Sequence, residues 1–279
     1  MVALYFIRDM KYSIKTVPNQ LEIIRPWLNQ RPLREKSRKW YFRYVDKEYE
    51  TTDSFDKIKL LFKRYPKLYY LLIEIISPVY IDHRPLKKFL ALSEKPVLNL
   101  GSGNQPKFSN IINIDMMDYE NVDIVCDITH LPFFDNTVNS VMNVTVLEHV
   151  EQPSTVLEEI YRVLKPGGLI LSVIPFMQPF HASPHDYQRY TLPGIEHLHK
   201  NFEIVESGVY SGPISGFLWV FQETLASILS FGSPTLRNFL YIFLILVTWP
   251  IKFLDLLFIK LPTSKNVASN FYVIGRKIS

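Results

Sequence analysis

Beyond Pro96 the chain alternates short apolar runs with turn residues and helical stretches, the pattern of an α/β domain built on a mostly parallel sheet. The runs cover residues 97–100, 111–114, 122–126, 140–144 and 169–174, and two more follow at 202–209 and 270–275. The clearest helix begins at Pro153 and carries Val156, Leu157, Ile160, Tyr161 and Leu164 on one face. Lys165-Pro166-Gly167-Gly168 predicts its stop. Upstream, Ile58, Leu61, Phe62, Tyr65, Leu68, Leu71 and Leu72 recur at three- and four-residue spacing and predict a helix over 55–76, bent at Pro66; a shorter helix is predicted over 85–92. A long apolar stretch, 216–261, separates the last two strand-like runs.

With 279 residues the chain can bury a sizeable core, and 47% apolar residues with only 10 Gly and 19 Pro exclude wholesale disorder and collagen-like repeats. The single cysteine, Cys126, can form neither an intramolecular disulfide nor a cysteine cluster for zinc, which points to a reducing compartment, the cytoplasm. The net charge of +4 is uneven: residues 1–90 hold 19 Lys/Arg against 10 Asp/Glu, and residues 91–279 hold 12 against 17. This divides the chain into a basic, helical N-terminal extension (1–90) and a second domain (91–279). Aromatic residues among the charges, Arg38-Lys39-Trp40-Tyr41-Phe42-Arg43, favour an anionic membrane interface as the partner of the basic part, the alternative being a plain solvated face. Arg8 and Asp9 interrupt the first ten residues, and no small-residue cleavage site follows, so export by a signal peptide is not expected.

Chemistry concentrates where strands end. Val97-Leu98-Asn99-Leu100-Gly101-Ser102-Gly103 runs from a strand into a glycine turn, where a backbone without Cβ atoms can approach a ligand at the carboxyl edge of the sheet. Pro106 stands where a dinucleotide-binding fingerprint requires its third glycine, which removes the main support for NAD. Asp115 ends the next run, placed to accept the hydroxyls of a ribose. Asp127, past the third run, can accept from an adenine amino group; the ordinary alternative for each acid is a turn or helix cap.

VLNLGSGNQ, IINIDMMD, VCDITHLPFFDNTVNSV, LEHVEQP and EEIYRVLKPGGLILSVIP together resemble the class I SAM-dependent methyltransferases, specifically their small-molecule and saccharide-directed members, over residues 95–210. The resemblance implies S-adenosyl-L-methionine (SAM) as cofactor, with Gly101 and Gly103 at its amino-acid moiety, Asp115 at the ribose, Asp127 and Ile128 at the adenine, and Asn143 opening toward the reacting methyl. It also implies a Rossmann-like sheet of seven strands whose last is antiparallel, the 270–275 run being the candidate. The chain departs from the family at Asn99, where an acid is usual, and in its first crossover: residues 101–110 leave room for a short helix or none.

Deprotonating a hydroxyl acceptor needs a base, and six of the seven histidines fall between His130 and His199. His149 follows the fourth run. His185, with Asp186 orienting it and Arg189 or Tyr190 on acceptor oxygens, forms a second candidate constellation, against an internal Asp186–Arg189 ion pair. Metal ligation by His181 with His185, or by His197 with His199, is not expected, because Pro184 disfavours the helix that the first spacing requires.

The apolar insertion, 213–268, replaces the short hairpin usual in the family. Its run 239–249 ends at Pro250 and is too short to span a bilayer unless it continues through Pro250, Lys252 and Asp255 to Ile259; if the 270–275 strand returns to a cytoplasmic sheet, a single transmembrane helix is excluded. Helices lying in the inner leaflet remain, or helices packed on residues 55–76. Two functions compete: a methyltransferase acting on a small-molecule acceptor such as a glycan or lipid-linked saccharide, and a non-catalytic membrane-side scaffold. Nucleic acid is not an expected partner, since the chain lacks an Asn-Pro-Pro-Tyr motif.

Overall fold

Two short strands, β1 (Arg34–Lys36) and β2 (Lys39–Tyr41), precede seven that coincide with the seven apolar runs: β3 (Val97–Leu100), β4 (Ile111–Asp115), β5 (Ile124–Val125), β6 (Val138–Val144), β7 (Leu164–Pro175), β8 (Phe202–Ser211) and β9 (Asn270–Lys277). The computed structural model describes residues 20–36, 38–43, 77–181 and 185–278. The helix expected over 55–76 lies outside the described residues.

All nine strands form one sheet in the order β1-β2-β5-β4-β3-β6-β7-β9-β8. From β2 to β7 neighbours run parallel, and β9 is antiparallel to both β7 and β8. The chain winds outward from β3 through β4 and β5, then returns to place β6 on the other side of β3. That reversal opens a crevice at the carboxyl ends of β3 and β6.

Strand periodicity divides the core in two. Leu98, Leu100, Val141 and Ile170 face α3 (Pro153–Val163), whose Val156, Ile160 and Val163 are fully buried, whereas Val97, Met142, Leu171 and Ile274 pack with Leu86 and Phe89 of α2 (Arg84–Leu92), which matches the helix expected at 85–92. Burial on both faces explains why these strands read as unbroken apolar runs. Each such side chain contributes about 1.5–3 kcal/mol on leaving water.

Three local differences from the sequence pattern have physical reasons. The helix α3 stops at Val163, and β7 begins at once: Leu164 pairs with Val138 and Leu169 with Ser140, so Lys165-Pro166-Gly167-Gly168 forms a bulge in the strand, with Gly167 at φ +79°, instead of a helix cap. No helix forms over 101–110. The described part of the extension expected to be helical also holds strands: after α1 (Gln20–Ile24), the hairpin β1–β2 adds to the edge of β5, pairing Trp40 with Ile124 and Tyr41 with Val125. Trp40 buries its ring in the core under the Arg25 guanidinium, 4.8 Å from the ring centre, and the added strands cover an otherwise open sheet edge.

The insertion is helical: α4 (Leu192–Leu198) precedes β8, and between β8 and β9 lie α5 (Pro213–Leu229), α6 (Pro234–Thr248) and the short α7 (Asp255–Phe258). Residues Pro234–Phe258 form one continuous helical rod of 25 residues, long and apolar enough by length and composition to cross a bilayer. The run therefore continues through Pro250, which sits in the first turn of a 3-10 segment, Trp249–Leu254. The three charges in the rod are spent on the protein: Arg237 pairs with Glu223 of α5, Lys252 Nζ donates to the Ser77 carbonyl at 2.7 Å, and buried Asp255 accepts from the backbone of Ile214 and Ser215, both at 2.9 Å, and from the Ser215 hydroxyl at 2.6 Å. Its C-terminal end is therefore seated on the start of α5.

Candidate active site

The glycine turn and the end of β4 meet directly. The Gly103 amide donates to one oxygen of Asp115 at 2.8 Å and the Met117 amide to the other at 2.8 Å, while the Ser102 amide closes the turn on the Ile114 carbonyl at 3.0 Å. Gly101 and Gly103 hold φ of +61° and +58°. A Cβ on Gly101 would come within 2.5 Å of Val146, whereas one on Gly103 would meet no atom within 4 Å. The first glycine seats the turn against the loop after β6; the second leaves open space beside the carboxylate, space that a ligand can fill. Burial pushes the Asp115 carboxyl above the usual range, and the amides of Met117, Gly103 and Met116 pull it back.

What replaces the missing crossover helix is an amide network. Asn99 donates to the Asn113 side chain at 3.0 Å, and Asn113 donates to the carbonyls of Gln105 and Asn121 at 3.2 and 3.1 Å. Asn121 in turn donates through its backbone to Asn104 at 3.1 Å. Asn99, in the position of the usual acid, thus ties the glycine loop to β4.

At the adjacent strand end, the Cys126 amide donates to the Asp115 carbonyl at 3.1 Å, which brings Asp127 beside Asp115. Asp127 accepts from the amide and hydroxyl of Thr129 at 2.9 and 2.8 Å, the turn-capping alternative, and is exposed. Half-buried Ile128 packs on the core beneath. Asn143 needs correction as a cofactor contact: it is completely buried, and its amide donates to the Ser172 hydroxyl at 2.9 Å. That hydroxyl also meets His199 Nε2 at 2.8 Å, and His199 Nδ1 lies 2.8 Å from the Ile195 carbonyl. Burial holds the His199 imidazole down at about 4, so it is a neutral core residue, and with His197 it makes no metal pair.

The segment after β7 is likewise corrected. Asp186 does not orient His185; its carboxylate accepts from Arg189, and from the His181 amide at 2.8 Å. The Arg189 guanidinium holds that carboxyl down at about 2. Arg189 also donates to the carbonyls of Gln178, Pro179 and Gln188, so its donors are committed to the loop and none is left for an acceptor. His185 is exposed, near Tyr187, and contributes its carbonyl oxygen to His149 Nδ1 at 2.6 Å. His149 does stand at the ligand edge, past β6, its ring 5.4 Å from that of His181, and Trp219 of α5 lies 5.5 Å beyond His181. His181 meets Glu148 and His149, not His185. Burial alone would lower the His181 imidazole, but Glu148, the Pro179 carbonyl and Asp186 outweigh it and raise it. Glu148 and Trp219 carried no signal in the sequence: the first lies in an apolar-flanked loop, the second in an apolar helix.

Residues 105–172 match the family described as a methyltransferase domain, a segment that begins just past the glycine turn. Over 44 residues the chain is 54% identical to the ubiquinone/menaquinone biosynthesis C-methyltransferase UbiE of Desulfotalea psychrophila, which amounts to 16% of this chain and 18% of that relative's length. Among solved structures it is similar to the [4+2]-cyclase SpnF (16% identity, TM-score 0.45, 76% of this chain and 82% of that one). It is also similar to phosphoethanolamine N-methyltransferase 2 of Haemonchus contortus with SAM (16% identity, TM-score 0.42, 69% and 53%). The strand order with its antiparallel β9 and the glycine turn facing Asp115 are those of the class I SAM-dependent methyltransferase fold, and residues 105–172 carry the match to a methyltransferase domain. SAM is the cofactor of that class, and the residues fit it: Gly103 leaves an open cradle, and the Asp115 carboxylate keeps acceptor capacity beyond its backbone donors.

Proposed function

We propose that this protein transfers a methyl group from SAM to a hydroxyl-bearing small molecule, a saccharide or lipid-linked saccharide, at the inner surface of a membrane. The observation that carries the transfer is the contact between Gly103 and Asp115 beside open space. When bound, SAM supplies an activated methyl on a good leaving group. The chain's own task is then positioning: Asp115 receives ribose hydroxyls, the glycine turn receives the amino-acid end, and Trp219 and His149 wall the acceptor side. The scaffold alternative loses its main support, because Asn99 holds the glycine loop in place.

Membrane association is supported by the insertion's outer face, where Phe231 is 91% exposed, Leu257 69% and Phe239 66%, together with Ile228, Leu246 and Val247. The excess of nine positive charges in residues 1–90 complements anionic headgroups. Incubation with methyl-tritiated SAM and a membrane extract tests both parts: label is expected in the solvent-extractable, lipid-linked fraction with the wild-type chain and not with Asp115→Ala. Label confined to water-soluble products would remove the lipid-linked acceptor, and no transfer to any fraction would count against the activity.

A further inference from the structure

Glu148 is fully buried, yet neither carboxylate oxygen has a hydrogen-bond partner. Leaving a carboxylate in that state costs several kcal/mol, so such a group implies something that completes it. The groups facing it are two imidazoles: Nε2 of His149 and Nε2 of His181, each 3.8 Å from Oε1, too far for a hydrogen bond.

Both rings are oriented by their other nitrogen. His149 Nδ1 lies 2.6 Å from the His185 carbonyl oxygen, and His181 Nδ1 lies 2.9 Å from the Pro179 carbonyl oxygen. A carbonyl only accepts, so each Nδ1 carries a proton and each ring turns its Nε2 toward Glu148, where a neutral ring offers a lone pair. Arg189 Nη2 sits 3.3 Å from His181 Nδ1, but its two hydrogens are spent on Asp186 and the Pro179 carbonyl, at 2.6 and 3.0 Å. A carboxylate oxygen and two imidazole nitrogens therefore converge within 4.8 Å of one another. Imidazoles tethered through Nδ1 to backbone carbonyls while Nε2 faces a shared point match the outer shell of metal-bound histidine.

We infer that Glu148, His149 and His181 bind a first-row divalent cation, zinc foremost. Two imidazoles and one carboxylate suit zinc, cobalt, nickel or iron, whereas calcium and magnesium favour all-oxygen sets. Tetrahedral bonds of about 2.0–2.1 Å place ligand atoms about 3.4 Å apart, so the two 3.8 Å Glu148–histidine separations close by a few tenths of an ångström on loading, from a cluster whose three atoms lie within 4.8 Å of one another. Three protein ligands leave a coordination position open, and the site lies past the end of β6, on the same sheet edge as Asp115. On the methyl-transfer reading, a bound cation would hold the acceptor's oxygen at the open position and lower the pKa of its hydroxyl, so that the proton would pass to solvent water; cation binding itself does not depend on that reading.

The test is a Co²⁺ titration of the full-length, chelator-treated protein, followed by visible d–d absorption, with Zn²⁺ as competitor. Expected are one Co²⁺ per chain, displacement by Zn²⁺, and affinity reduced at least tenfold by His149→Ala, His181→Ala and Glu148→Gln. S-adenosylhomocysteine (SAH) binding to the same variants reports that they are folded. Should they not fold, the wild-type chain still decides: a melting temperature raised by equimolar Zn²⁺ but not by Mg²⁺ supports the site. Bands that persist unchanged in the variants, or a wild-type chain with neither bands nor a Zn²⁺-dependent shift, would overturn it. Cobalt binding without methyl transfer would sink the activity alone.

Discussion

Replacing Asp115 by Ala is expected to weaken SAH binding at least a hundredfold, measured by isothermal titration. The carboxylate sits at the end of β4, buried, with the Gly103 and Met117 amides on separate oxygens. Each oxygen retains a lone pair, enough for the two hydroxyls of a ribose. Hydrogen bonds to a charged acceptor contribute about 1.5–3 kcal/mol each, so losing two corresponds to at least about 3 kcal/mol, or a factor of more than a hundred. The truncation also frees the Gly103 amide and loosens the turn. Asp115→Asn separates the two effects, since it keeps an acceptor for Gly103 and loses the charge; an intermediate loss of about tenfold is expected. Unchanged affinity in Asp115→Ala would place the ligand elsewhere.

Asp255→Ala is expected to lower the melting temperature by about 6–12 °C in a chain of this size, corresponding to about 3 kcal/mol. Asp255 caps a helix from a distance: forty residues after the start of α5, it accepts from two backbone amides and one hydroxyl there. Removing it leaves three buried donors without an acceptor, more than the roughly 1 kcal/mol typical of an ordinary cap. Because the contact joins the apolar rod to α5, and α5 carries Trp219 beside His181, the variant should also expose the insertion to limited proteolysis. A melting temperature within 2 °C of wild type would show that the rod is held by other contacts.

The sheet was legible because its strands are buried on both faces, and period-free apolar runs bounded by glycine, proline and asparagine leave few alternatives. The same holds for Asp115 and the glycines, which local sequence alone places at strand ends. Other features depend on contacts between distant parts of the chain. Arg34-Glu35-Lys36 has no apolar pattern and becomes a strand only because Trp40 and Tyr41 dock on β5. Asp186 was offered two partners, and the i,i+3 arginine won over the neighbouring histidine, since a guanidinium meets a carboxylate at two oxygens whereas the His185 ring turns outward. Asn143 read as one more residue at a strand end, but the sheet pairs it with Ser172, and His199 bonds the Ser172 hydroxyl behind it. Glu148 and His181 stand 33 residues apart, and only the loop after β7, folded back by Arg189, brings them together.

The central claim is that the carboxyl edges of β3, β4 and β5 form the seat of an adenosine-bearing cofactor. A crystal structure of the wild-type chain with SAH tests it most directly. The predicted result is a ribose on Asp115, the amino-acid end over Gly101 and Gly103, and the adenine between Asp127 and Ile128. Ligand density at any other edge of the sheet, or this crevice closed by the protein's own side chains at saturating SAH, would contradict it.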